Sequence, residues 1–520
     1  MKTSNFLHNK RIAKNTVFLY IRMLFILIVG LYTSRVYLQA LGIVDYGIYC
    51  VIGGIAALFS FITASMSQTI QRFITYELGK GKKGNVSRAF SVGIELQIVI
   101  SILIMVCVEI VGIWMIENKL NIPADRMQAA YILLQCSVFT IPISLLSSPY
   151  NALIIAHERM QAFACISIFE VIAKLLIAYA LIYSSFDHLI LYGLLSMLVM
   201  VLVRLCYVVY CKTKIPHIVF TFAWDLTEIK NMLSFAGWNM YGALSYVGFT
   251  QGLNVLLNIF FLPTVNAARG IAVQVQTAIY GFVLNFQTAI NPQITKTYAD
   301  NDLYNMNKLI IRSAKFSLLL LAILSMPILF ETTLLLKFWL EEVPECTVVF
   351  IRIIVLTSWI TAIENPITNA VLASGQVKKY QLIVSTVRLC IVPISYSFLK
   401  FGFAAYVVFV IHFCVEALVL IVRLVLVRQI LGFPVLKFIN QAVIKTVVSI
   451  GIGVLFIIPL YIFMNQGVLR IILITLCFVI LMGLTAYFIL LDESEQNFVK
   501  KIVSKVVSKN ENSDNITIQS

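Results

Sequence analysis

Charged and amide side chains recur inside stretches of this chain that are otherwise apolar, and these are the residues able to do chemistry. Arg22 and Arg35 share one such stretch and Arg269 stands in another. An ionisable group at mid-membrane costs about 2.5 to 3.5 kcal/mol on insertion scales, so a chain that keeps several turns them toward protein or a water-filled cavity. At about 100° per residue, Gln276, Tyr280, Gln287 and Asn291 fall within about 40° of Arg269 on a helical wheel. Gln251, Asn254 and Asn258 share an arc of about 60°, and Ser60, Thr63, Ser67 and Gln71 one of about 80°. Such polar stripes either hydrogen-bond helices to one another or line a hydrated central cleft. Their occurrence on the first two helices of both halves of the chain favours the cleft. Arg22 and Arg35 are about 140° apart, so a straight helix cannot aim both at one point, and Arg35 is also placed to snorkel toward the membrane surface. Glu170 and Lys174 have the i, i+4 spacing of an intrahelical ion pair, read here as structural. Glu95, Glu109, Glu364, Glu416 and Arg388 are further intramembrane charges whose partners the sequence does not reveal.

The elements that position these groups follow from composition. Of 520 residues, 60% are apolar and 12% charged, where a soluble protein carries about 25% charged residues. A mean hydropathy of +0.93 excludes a water-soluble globular protein, because so much apolar surface could not be enclosed in water. Apolar windows at 16–40, 44–70, 89–116, 128–150, 163–184, 189–211, 235–262, 265–291, 309–332, 346–371, 381–399, 402–426, 442–464 and 468–491 predict an all-α integral membrane protein with about 14 transmembrane helices. The net charge of +15 does not indicate nucleic acid, because the basic residues sit in short alternating loops. Placing both termini in the cytoplasm puts 25 Lys and Arg in inside segments and only Lys119, Arg126, Lys337 and Lys400 outside. The ten cysteines show no CxxC pair, the eight that lie inside apolar runs (Cys50, Cys107, Cys136, Cys165, Cys206, Cys390, Cys414 and Cys477) read as small buried hydrophobes, and no metal-ligand, Walker or dinucleotide motif is present, which argues against metals, cofactors and ATP-driven transport.

Two stretches repeat in order. Gln71 to Tyr76 and Gln293 to Tyr298 both read Q-x-x-x-T-Y, and Pro149-Tyr-Asn151-Ala matches Pro366-Ile-Thr-Asn369-Ala at nearly the same offset. They predict two six-span lobes, 1–216 and 217–430, related by a pseudo-twofold axis along the membrane normal. Two extra spans (431–491) and a cytoplasmic tail (492–520) follow. Phe220 to Lys230 reads as an amphipathic linker with Asp225 and Glu228 spaced as a capping box. In the tail, Glu493 to Lys509 reads as an amphipathic helix lying on the anionic inner leaflet.

The stretch Arg35-Val-Tyr-Leu-Gln-Ala-Leu-Gly42-Ile-Val-Asp45-Tyr-Gly47 resembles the end of the first span and start of the second in bacterial polysaccharide transporters. Val265-Asn-Ala-Ala-Arg269-Gly270, running on to Asn291-Pro292-Gln293, resembles their eighth span. Over residues 10–430 the chain resembles the O-antigen and capsule repeat-unit flippases of the multidrug/oligosaccharidyl-lipid/polysaccharide superfamily, a MATE-like fold. The resemblance implies a V-shaped pair of lobes that alternates between inward-open and outward-open states in the bacterial inner membrane. It implies a cargo of undecaprenyl-pyrophosphate-linked oligosaccharide, for O-antigen, capsule or exopolysaccharide assembly, with polysaccharide assembly enzymes as candidate partners. Arg22, Arg35 and Arg269 would hold the pyrophosphate. Gln71, Gln251, Asn254, Asn258, Gln276, Tyr280, Gln287 and Asn291 would line the cavity and contact sugar. No cofactor is expected, though sodium or proton coupling is compatible with the family. A cation-coupled multidrug exporter of the same fold is the main alternative; exporters of that type commonly place a carboxylate in the first or seventh span, and here those spans carry arginines and no acid, respectively. A membrane enzyme of glycan assembly is disfavoured, because no outside loop is large enough for a catalytic carboxylate cluster.

Overall fold

The computed structural model describes residues 2–500 apart from 58, 119–121, 223, 262, 341, 342, 494, 498 and 499. For 2–14, 31, 34, 35, 38, 43, 44, 46, 47, 50, 51, 53–57, 60, 263 and 264 it describes the backbone alone. The described residues form helices and turns with no strand, as expected where every backbone polar group must be satisfied inside its own segment.

The first lobe contains α1 (Lys2–Ala57), α2 (Ser60–Gly79), α3 (Val86–Asn118), α4 (Met127–Ala156), α5 (Met160–Tyr183) and α6 (His188–Lys214). The long α1 is two helices joined at Gly42, whose φ of +74° falls in the left-handed region that glycine enters without steric cost. The break separates the first pass from the second, which runs on through α2. Beside it, Arg126 binds Asp45 and, at 2.5 Å, Asp187, so three turns are clasped by one guanidinium. His188 adds a bond from Nδ1 to the Ala40 carbonyl at 2.8 Å.

The second lobe contains α7 (Leu226–Phe260), α8 (Pro263–Ala299), α9 (Leu303–Trp339), α10 (Thr347–Ser374), α11 (Val377–Leu389), α12 (Ile391–Lys400) and α13 (Val407–Leu431). Here α11 and α12 together make one pass. Residues 215–222, 224 and 225 are not helical and link α6 to α7. Asp225 caps α7 by accepting from the Thr227 and Glu228 amides, while the Glu228 carboxylate turns to Arg88 at 3.3 Å rather than closing a capping box.

The last two passes are α14 (Val435–Phe438) continuing through a π-turn into α15 (Lys445–Phe463), and α16 (Val468–Thr485). They are stapled to α9 at both ends. The buried pair Glu331 and Arg470 meets at 2.5 Å, where α9 kinks at Glu331 four residues beyond Pro327. Toward the other end Glu495 accepts from Lys315 at 2.7 Å and lies 2.8 Å from Arg312. The start of the predicted amphipathic tail therefore docks on the second lobe, and its remainder from residue 501 lies outside the described residues.

Among the described residues, ten helical segments are long and apolar enough to cross a membrane by length and hydropathy. The passes outside that count are α2, α7, α8 and the first part of α1, which contributes the shorter apolar stretch Asn15–Gly30. These are the first two helices of each lobe, which carry the polar stripes and pack across the lobe boundary, α1 and α2 against α8 and α2 against α7.

The lobes meet at the end of the bundle that carries the N-terminus. Glu158, in the turn between α4 and α5, accepts from Lys296 at 2.6 Å and Gln293 at 3.2 Å, and its carbonyl accepts from Asn15 at 3.1 Å. Arg72 of α2 donates to the Leu372 and Ala373 carbonyls at the end of α10. The two repeat motifs face each other here, with the rings of Tyr76 and Tyr298 6.3 Å apart. Leu19, Ile155, Met160 and Ala289 form a small apolar plug at the same level.

Candidate functional site

A cavity of about 650 Å³ lies within the second lobe, between α7, α8, α10, α11 and α13. Five of its residues are Arg or Glu: Arg269 from α8, Glu364 from α10, Arg388 from α11, and Glu416 and Arg423 from α13. Arg388 makes a two-pronged contact with Glu416, at 2.7 and 2.6 Å, and stands 3.5 Å from Glu364. Arg423 also lies 3.5 Å from Glu364 and donates to Thr368 and, at 2.6 Å, to Tyr380 Oη. His412 Nε2 sits 3.6 Å from Glu416, and its ring is 5.1 Å from that of Phe249.

Arg269 differs from the other two arginines. It is 7% exposed, and its guanidinium donates to Asn254 Oδ1 and to the Thr250 carbonyl at 2.9 Å, both neutral acceptors. Three guanidinium groups thus face two carboxylates. A buried cation is stabilised best by a charged partner, so the cavity has the chemistry to take up an anionic group beside Arg269. Around it Gln251 accepts from Asn254 at 2.9 Å, Gln276 donates to Ser358 at 2.9 Å, and Tyr280 donates to the Thr361 carbonyl at 3.4 Å. Those amides and hydroxyls keep free valences for a polar ligand. Exposed Tyr246, Gln251, Thr277 and Leu284 border the cavity.

Of the residues singled out from sequence, Arg269, Gln251, Asn254, Gln276 and Tyr280 converge on this cavity. Arg22 does not. It lies in the first lobe with its guanidinium 4.4 Å over the Phe163 ring, and an arginine pyrophosphate clamp built with Arg269 is not assembled in this conformation. The Arg35 side chain lies outside the described residues. Gln287 is fully buried and saturated, donating to Ser317 and to the Ala362 carbonyl, both at 2.9 Å, and accepting from Asn365 at 2.6 Å. It fastens α8 to α9 and α10 and does not line the cavity. Asn291 lies a turn further along α8, below the cavity, with its Oδ1 buried. The reason is length: Asn291 is 22 residues from Arg269, about 33 Å along the helix axis at about 1.5 Å per residue. One stripe on a wheel therefore passes from the cavity into the closed seam. Asn258 is exposed and borders a separate small hollow with Asn254 and Asn266. Gln71 is half-buried on α2, outside the cavity. Glu170 and Lys174 pair at 2.8 Å within α5.

The sequence shows Glu364, Glu416 and Arg388 as intramembrane charges without revealing their partners, and by itself gives His412 and Arg423 no role. One signal was present. His412, Glu416 and Arg423 fall within about 40° of one another on α13, a polar stripe like those on α7 and α8. Nothing local tells that Glu364 and Arg388, from two other helices, meet it.

Among solved structures the chain is similar to an outward-facing conformation of a multidrug resistance MATE family transporter of the MOP superfamily, with a TM-score of 0.71 at 12% identity, covering 82% of this chain and 96% of that one. It is also similar to a MATE crystallised in the straight conformation, with a TM-score of 0.69 at 13% identity over 82% and 96% of the two chains. A third similar structure is a MOP superfamily transporter from Pyrococcus furiosus, in which reverse polarity of the binding pocket suggests a different function, with a TM-score of 0.69 at 12% identity over 81% and 96%. No protein-family model and no curated protein matches the sequence. The likeness shows the fold: two lobes of the MATE type followed by two further helices.

Proposed function

We propose that the protein is a membrane transporter working by alternating access, and that it flips an undecaprenyl-pyrophosphate-linked oligosaccharide between leaflets of the bacterial inner membrane. The carrying observation is Arg269, a buried cation in the cavity whose described partners are neutral. A phosphate oxygen would supply the missing charge, and arginine's rigid fork suits it. Gln251, Asn254, Gln276 and Tyr280 offer the amides and hydroxyl that a sugar requires. The polyprenyl chain would stay in lipid, since the cavity holds a head group and not a long tail. The basic-residue asymmetry supports cytoplasmic termini, and the seam at the N-terminal end then makes this conformation the one closed toward the cytoplasm. Assembly enzymes of the polysaccharide would act before and after the flip, and sodium or proton coupling would drive it.

A specific observation favours a second reading. Glu364 and Glu416 place in the cavity the carboxylates that a cation-coupled drug exporter needs, although on helices other than the first and seventh. Proteoliposomes separate the two. With a fluorescent undecaprenyl-pyrophosphate oligosaccharide, wild type should flip the lipid, Arg269→Ala should slow flipping at least tenfold, Arg269→Lys should retain part of it, and a cationic dye should not be taken up. Dye uptake without lipid flipping, indifferent to Arg269, would overturn the flippase reading in favour of the exporter.

A further inference from the structure

A second cavity, of about 760 Å³, opens at the end of the bundle where the lobes meet, and transport of cargo through the cavity beside Arg269 makes no use of it. Its walls come from both lobes. Arg72 of α2 and Trp238 of α7 both line it, with Lys378 and Lys379 at the start of α11. Among the described residues no carboxylate lines it, and its lining carries three positive charges. Arg72 is fixed by the Leu372 and Ala373 carbonyls at 3.1 and 2.7 Å. Lys378 Nζ lies 5.5 Å from the centre of the Trp238 ring, and Lys379 Nζ donates to Gln429 at 3.4 Å. Glu77, further along α2, is held by Lys80 at 2.6 Å and by the Asn85 amide at 2.9 Å. The described contacts of the three cations are thus with carbonyls, an amide and aromatic rings.

We propose that this cavity binds the phosphate headgroup of a membrane lipid. Three cations without a lining carboxylate attract an anion, and arginine and lysine both serve as phosphate ligands. Lysine and tryptophan together at the end of membrane helices mark the level at which lipid headgroups lie. Beside the polar Asn231, Ser234 and Gln376, the wall includes an apolar surface made by Phe73, Phe235, Val377, Leu382 and Ile430. A free phosphate ion would leave that surface uncovered, whereas a phosphate attached to a hydrocarbon chain covers it, which selects a lipid over a soluble anion. Because the walls come from both lobes, the bound headgroup ties them together in the conformation closed at this end. The inference does not depend on the cargo of the other cavity.

Native mass spectrometry of the full chain, titrated separately with phosphatidylglycerol, phosphatidylcholine and glycerol phosphate, tests it. The variant is Lys378→Gln with Lys379→Gln; both side chains are exposed, so folding should be unaffected. Wild type should retain phosphatidylglycerol several-fold better than phosphatidylcholine, and the double variant should lose that preference while keeping wild-type melting behaviour. Binding of glycerol phosphate at the same affinity, abolished by the double variant and without a lipid preference, would keep the phosphate site and assign it a soluble ligand. Equal retention of both lipids by wild type, or an unchanged preference in the double variant, would overturn the proposal. A Trp238→Leu variant, which removes an aromatic wall and no charge, should weaken retention of both lipids alike.

Discussion

Arg388 holds Glu416 through two hydrogen bonds, and neither group touches bulk water freely. Removing one member of such a pair strands a charge in a low-dielectric site, whereas removing both does not. Glu416→Leu should therefore destabilise the protein by about 3 to 5 kcal/mol, and the double variant Arg388→Leu, Glu416→Leu should recover most of that loss, as thermal unfolding in detergent would show. If the single and double variants melt alike, the pair is not the stabilising unit. Gln287 makes a different point at the same scale. With its amide bonded to three partners on two helices, Gln287→Ala should cost about 1 to 3 kcal/mol through the groups left unsatisfied. Its effect on flipping should follow that loss of stability rather than a lost ligand contact, which a comparison of melting with transport rate would check.

Among the elements, α1 and α9 each contain a residue with non-helical backbone angles, Gly42 and Glu331. Gly42 occupies a left-handed backbone conformation with open space around the position of a side chain. Gly42→Ala should thus cost about 1 to 2 kcal/mol from backbone strain alone, read as a lowered Tm. At α9 the kink beyond Pro327 brings Glu331 to Arg470, and Lys315 reaches the Leu490 carbonyl as well as Glu495. The C-terminal pair of passes is held by these buried ionic contacts as well as by apolar packing. Glu495→Ala should free the segment after Leu490, seen as faster limited proteolysis there, with little change in cleavage of the first lobe. Within the linker, Asp225 caps the start of α7, and Asp225 and Glu228 both pair with Arg88 of α3.

For the whole molecule, the seam at the N-terminal end joins the two lobes, and under the proposed alternating access it is the contact that closes that end. Glu158 collects Lys296, Gln293 and Asn15 from the opposite lobe and from α1. Losing that contact should shift the balance of conformations by an order of magnitude or more, since each 1.4 kcal/mol is about tenfold. In a Tyr298→Cys background, Glu158→Ala should raise labelling of the new thiol from the N-terminal side about tenfold. Unchanged labelling would mean that Arg72 and the apolar plug hold the seam without Glu158. The Q-x-x-x-T-Y repeats gain a physical meaning at this scale: each threonine donates back to its own glutamine carbonyl, and the paired tyrosines meet across the seam.

Much of this architecture is written in one dimension. Hydropathy alone sets a membrane solvent, and the polar stripes on the first two helices of each half mark the elements that meet between the lobes. Periodicity also brought Arg269, Gln276 and Tyr280 to one face, because a helix fixes angular relations between neighbours. It could not fix depth, which is why Asn291 and Gln287 share that face and lie outside the cavity. Nor could it join Glu364, Arg388 and Glu416, which come from three helices whose mutual rotation depends on packing. Charge pairing across helices, the closed seam and the basic cavity around Trp238 are tertiary facts. They depend on distances between segments far apart in the chain, and local side-chain pattern carries no information about those distances.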